Sequence, residues 1–140
     1  MRFVKLARGE FGTIDAVRRL FREVIPKRTP PGKFRVTPGH IARDGLKPAE
    51  PLVFVYRTRV VLTARADSEL LPNDDEERQR CPSYFVVNLD TLSEADVDLY
   101  EVERQYNEVA GAEVGLVGQN WNRLPDSAHT RAVWTWLRGI

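Results

Sequence analysis

The sequence predicts an α+β fold, a small β-barrel with peripheral helices, in one domain spanning residues 1–140. Two observations carry that expectation. The run LVFVYRTRVVLTARA, from Leu52, is apolar over Leu52–Tyr56 and Val60–Leu62 on either side of Arg57-Thr58-Arg59 and is rich in β-branched and aromatic residues, as a buried strand pair requires. Flanking stretches instead repeat apolar residues at helical spacing. At 140 residues, with 42% hydrophobic and 29% charged, the chain is long enough to bury a core without disulfides or metal, and its composition is globular rather than disordered.

Taken in order, MRFVKLARGEFG has no continuous apolar stretch and no small-residue cleavage site, so it reads as part of the fold and not as a secretory signal. Residues 13–25 form the first expected helix. Thr13 caps it, and Ile14, Val17, Leu20, Phe21 and Val24 recur along one face. Pro26, Pro30, Pro31 and Gly32 then break the helix. In KFRVTPG, Phe34 and Val36 alternate with Lys33, Arg35 and Thr37, the period of a half-buried strand. HIARDGL reads as one short helical turn and LKPAEP as a polar turn.

Leu52 to Tyr56 and Val60 to Ala64 are the two strands of the hairpin, and burial on both faces is expected from their lack of alternation. DSELLPNDDEERQR reads as a long exposed acidic loop. SYFVVNLDTL is a further strand. SEADVDLYEVERQYNEVAG is expected to be a helix opened by Ser93 with Asp96 three residues on, with Val97, Tyr100 and Val109 facing the core. AEVGLVGQNWNRLP has strand character through Val114, Leu116 and Val117. Asp126 or Ser127 then caps a last helix that buries Val133, Trp134 and Leu137.

Several function classes are disfavoured at this level. No apolar run approaches the roughly 20 residues of a membrane span, so no membrane partner is expected. Cys81 is the only cysteine, which excludes an internal disulfide and fits a cytoplasmic setting. Cys81, His40 and His129 are too few for a closed zinc site, and no local signature joins them into a nucleophilic centre. No cofactor is expected. The net charge is +1, yet Arg18, Arg19, Arg22, Lys27, Arg28, Lys33, Arg35 and Arg43 crowd the first third while acidic residues gather later. That asymmetry fits either a face for a polyanion or charges that only solvate helices.

The stretch VTPGHIARDGLKPAEPLVFVYRTRVVLTARA, with the order of elements around it, resembles the PUA-like superfamily, whose PUA, ASCH, EVE and YTH members are small β-barrels with peripheral helices. Ala49-Glu50 stands where the pattern has Gly-Asp, and the ASCH-type Gly-x-Lys-x-x-Glu-x-Arg motif is missing. The resemblance implies DNA or RNA as partner and, in EVE- and YTH-like members, one modified or extruded base held in an aromatic pocket.

Such a pocket needs a flat apolar surface for the base, amides at its edge and cations on the flanking phosphates. GQNWNRLP supplies all three, with Trp121 for the face, Asn120 and Asn122 for the edge and Arg123 for phosphate. Tyr56 and Tyr84 are strand aromatics that suit the same cavity or plain packing. Lys33, Arg35, Arg57 and Arg59 suit phosphate contacts on one basic surface. A separate nuclease is a further expected partner, because no clustered metal-binding carboxylates are present for cleavage by this chain. Two other readings remain: a small ASCH-like hydrolase or ribonuclease using Lys33 or Tyr84, and a protein-interaction adaptor.

Overall fold

The computed structural model describes residues 1–42 and 45–139. Arg43, and with it part of the helical turn expected over HIARDGL, lies outside the described residues. Among the described residues six strands form one sheet: β1 (Arg2–Lys5), β2 (Lys33–Val36), β3 (Pro51–Tyr56), β4 (Arg59–Ala66), β5 (Leu71–Pro72) and β6 (Ser83–Asp98). The strand order is β1-β3-β4-β6-β2, with β5 also on β6. β1 runs parallel to β3 and the other pairs are antiparallel. Because β6 pairs with β4 along one part and with β2 along another, and β4 slips register against it twice, the sheet curls into a half-barrel.

The hairpin explains its own apolarity. On β3, Leu52, Phe54 and Tyr56 point into the curl, while Val53 and Val55 point out, and both sets are buried. Inside, Phe54 meets Phe21 at 4.4 Å and Phe34 at 5.7 Å between ring centroids. Outside, Val53 and Val55 pack with Leu99, Val102 and Tyr106 of α2 (Leu99–Ala110) and with Val133, Trp134 and Leu137 of α3 (Ala128–Gly139). Two cores therefore share one sheet.

The first helix begins as expected. The Thr13 hydroxyl accepts from the Ala16 amide at 3.1 Å and opens α1 (Ile14–Arg19). It then widens into a π-helical turn, Leu20–Val24, and tightens into a 3₁₀ turn, Ile25–Lys27, which puts Phe21 and Ile25 into the inner core and leaves Val24 exposed. Gly32 has φ +89°, and a Cβ there would stand 2.4 Å from the Val87 carbonyl oxygen, so the chain passes β6 only because no side chain is present.

Three expectations are corrected. Ser93–Asp98 continues β6 and does not open a helix, because β4 needs a ladder partner there: Thr63 pairs with Ser93, Leu62 with Glu94 and Val60 with Val97. The cap is Asp98, whose carboxylate accepts from the Tyr100 amide at 2.9 Å. With the helix starting later, Tyr100 and Val109 are exposed. Residues 112–125 are not a strand, apart from a single bridge between Arg2 and Arg123. Side chains of α2 take up their backbone groups, Asn107 bonding both N–H and C=O of Val114 and Glu103 accepting from the Leu116 amide at 2.7 Å. The acidic loop is not simply exposed either. It folds over the outward face of β2, burying Asn73 and Cys81.

Charge asymmetry along the chain becomes pairing in space. Glu94 meets Arg22 at 3.0 Å and Arg18 at 3.9 Å, and Asp96 takes Arg59. Among the described residues no helix is long and apolar enough to cross a membrane.

Candidate nucleic-acid interface

Where β1, α1, β2 and the loop before β6 converge, a cavity of about 150 Å³ opens to the surface. Leu6, Phe11, Leu20, Phe34 and Trp121 form its apolar wall, and Arg28, Arg35, Arg80 and Glu10 supply the charged groups. That volume lies below the roughly 300–1,000 Å³ of whole-ligand sites and suits a single flat ring system.

Trp121 is half-buried against the inner core and stacks on His40, with centroids 4.4 Å apart and planes 14° from parallel. Its segment is fixed from several directions: Lys5 Nζ donates to the carbonyls of Leu116 and Gly118 and to Asn122 Oδ1, and the Phe3 amide donates to the Asn122 carbonyl at 2.8 Å. Leu116 and Leu124 are buried on either side.

The other nominated residues are dispersed. Asn120 is exposed beside Trp121. Asn122 has its amide engaged at both ends, accepting from Lys5 and donating to the Gly115 carbonyl, so it braces the loop. Tyr56 is in the core, and its hydroxyl donates to the Phe11 carbonyl. It therefore supports the cavity wall from behind, with Phe11 edge-on to its ring at 6.2 Å. Tyr84 lies on the outward face of β6, its ring 4.5 Å from Lys33 Nζ.

The expected single basic surface is not assembled. Lys33 is buried and bound to Asp75 at 2.8 Å, and Arg35 forks onto Asp75 and Glu76, both at 2.9 Å. Hydrogen bonds from Lys33 first, then from the Glu77 amide, Arg35 and Asn73, hold the Asp75 carboxyl well below the usual carboxylate range, against an opposing desolvation. Arg59 pairs with Asp96, and Arg123 with the buried Glu50 at 2.8 Å. Lys33 and Arg35 sit by the start of β6 and Arg59 by its end, separated by most of a strand of 16 residues, roughly 50 Å of contour. Arg57 alone of this set has no carboxylate within 4 Å among the described residues, and it lies over the Tyr56 ring at 5.2 Å.

Sequence reasoning missed Leu6, Phe11, Leu20, Phe34, Arg28 and Arg80 as cavity residues. They come from five separate segments, and only the last turn before the β6 strand and the first turn after β1 hint at it through clustered charge. A second cavity of about 400 Å³ is bordered by Glu50, Arg65, Arg123, Arg131 and Trp134. There Arg65 and Arg138 lie over the Trp134 ring at 5.4 and 5.1 Å. A third recess of about 170 Å³ adjoins the first through Leu6 and carries Arg8, Arg57 and Thr58. Among the described residues no group of three or more His, Cys, Asp or Glu side chains is placed to hold a metal ion. Burial pushes the Cys81 thiol pKa up, which favours the neutral thiol.

No family model and no curated protein matches this chain. Among solved structures it is similar to the YTH domain of the Zygosaccharomyces rouxii MRB1 protein in complex with N6-methyladenosine RNA, with a TM-score of 0.60 and 14% identity. The alignment covers 99% of this chain and 88% of that one. At that identity the likeness speaks for architecture alone: the chain shares its α+β half-barrel fold with a YTH domain.

Proposed function

We propose that this protein binds single-stranded nucleic acid and takes one extruded or modified base into the cavity beside Trp121. The observation that carries the reading is the Trp121 indole, stacked on His40 and lining a cavity sized for one flat ring system, with phenyl walls from Phe11 and Phe34. A base leaving its stack recovers that energy against aromatic faces. Asn120, exposed next to Trp121, is the amide free to meet a base edge. The neighbouring recess, with Arg8 and Arg57, offers cations to the flanking phosphates. The RNA in the similar solved complex agrees with this class of partner. Nothing supports the nuclease partner expected from sequence.

A hydrolytic reading rests on one feature, the buried Lys33 next to the Asp75 carboxylate. It ranks lower because none of the cavities described opens onto Lys33, whose ammonium already faces both Asp75 and the Tyr84 ring. Loss of oligonucleotide cleavage in Lys33→Met with binding retained would reverse the ranking.

The deciding experiment is Trp121→Ala, measured for both oligonucleotide affinity and thermal stability. Loss of a stacking platform should weaken binding by about 1–3 kcal/mol. Because the indole is half-buried, stability should fall by less than the roughly 3–5 kcal/mol of a core aromatic. A folded variant that binds normally would end the proposal.

A further inference from the structure

Three guanidinium groups line the cavity beside Trp121, those of Arg28, Arg35 and Arg80. Two are already committed. Arg35 forks onto Asp75 and Glu76, and Arg80 bridges Glu77 at 3.2 Å and Glu10 at 2.9 Å. Arg28 is half-buried, makes one hydrogen bond, Nη1 to the Lys33 carbonyl at 3.0 Å, and has no carboxylate within 4 Å among the described residues. Its guanidinium is partly desolvated: burial first, then the charge of Arg35, draws its pKa below the ordinary arginine value, against a smaller opposing pull from Asp75 and Glu76. A guanidinium carries five donors and no acceptor and stays charged in proteins. Partly desolvated donors without partners favour a ligand that brings acceptors.

We propose that the cavity selects a base whose edge presents paired acceptors, as guanine does with O6 and N7, and that Arg28 is the residue that reads it. This rests on the base-pocket reading above. The planar fork of an arginine matches two adjacent acceptors on guanine, whereas adenine offers N7 beside an N6 amino donor that would oppose the guanidinium. N-methylation of that amino group adds an apolar methyl and no acceptor, so N6-methyladenine is disfavoured on the same ground. The phenyl and indole walls hold either purine alike, and discrimination therefore falls to the edge.

The test uses the full chain with single-stranded oligonucleotides, in RNA and DNA versions, identical except for one central position that is guanine, adenine, N6-methyladenine or abasic. Affinities are read by fluorescence anisotropy for the wild type, Arg28→Lys and Arg28→Met, with circular dichroism to establish folding. Guanine should bind on the order of 10- to 100-fold tighter than adenine, and both Arg28 variants should bring the guanine-to-adenine affinity ratio close to one. Equal or tighter binding of adenine or N6-methyladenine by the wild type overturns the proposal, whether or not the variants fold. So does a uniform loss across all four oligonucleotides in the variants, which would make Arg28 a phosphate contact. If the abasic oligonucleotide binds as well as the others and Trp121→Ala has no effect, the base pocket itself fails, an outcome distinct from a wrong base preference.

Discussion

Asp75 is the residue on which the β2 side of the molecule depends. It satisfies the buried Lys33 ammonium and one arm of Arg35, and it accepts from the Asn73 side chain and the Glu77 amide. Its folded pKa lies below the unfolded value of about 3.9, so its contribution is complete above that pH and is lost as pH falls toward the folded value. Asp75→Asn should therefore lower stability at neutral pH and flatten the loss of stability below about pH 4, as chemical denaturation across a pH series will measure. An unchanged acid slope would contradict the assignment. Ala49 is a second case, at the third position of the Lys47–Glu50 turn with φ 68°. A left-handed conformation costs an L-residue roughly 1–2 kcal/mol, part of which glycine returns to the unfolded chain as entropy. Ala49→Gly is expected to stabilise by up to about 1 kcal/mol in urea denaturation.

Among elements, the β3–β4 hairpin is the clearest. Tyr56 pairs with Arg59, leaving a two-residue loop of Arg57 and Thr58 with φ of 49° and 62°. Two successive left-handed residues make a turn that matches strand twist but favours Asn-Gly. A β-branched threonine there is strained. Replacing Arg57-Thr58 by Asn-Gly should stabilise by about 1–2 kcal/mol, read from the denaturation midpoint. If Arg57 holds phosphate as proposed, the same variant should bind oligonucleotide more weakly. The hairpin itself was legible because its apolar run, its length and its polar tip all agree. α2 was legible as a helix but not in its start: the sequence placed the opening at Ser93, whereas the cap is Asp98, because the open edge of β4 pairs with Ser93–Val97. Local preference yields to a ladder whose hydrogen bonds would otherwise be unmade.

At the scale of the molecule, the segment 112–125 links the two cores and carries Trp121 to the cavity. It holds its course through tertiary contacts: Leu116 is fully buried, the Leu124 amide donates to the Met1 carbonyl, and Arg123 meets Glu50. Leu116→Ala should cost about 2–5 kcal/mol, and in the fraction that remains folded it should weaken binding as Trp121→Ala does, because the loop loses its anchor. Stability lost with binding intact would show that Trp121 is positioned independently of Leu116.

From the order of residues came the α+β class, the first helix with its Thr13 cap, the last helix with its cap narrowed to Asp126 or Ser127, the strands β2, β3 and β4, and the prominence of Trp121 between two asparagines; the structure selects Ser127. Each of these rests on a short-range pattern, a period of two or of 3.6 residues or a turn of fixed chemistry, which any window of the chain displays. Tertiary structure alone decided where the charges went and what lines the cavity. Lys33, Arg35, Arg59 and Arg123 look available for phosphate in sequence, yet their carboxylate partners lie 37 to 73 residues away. Arg28 looked like one basic residue among many and is set apart only because Asp75, Glu76, Glu77 and Glu10 occupy its neighbours. Charge carries no periodicity that records its partner, so which cation stays free for a ligand is fixed by the folded arrangement and not by the order of residues.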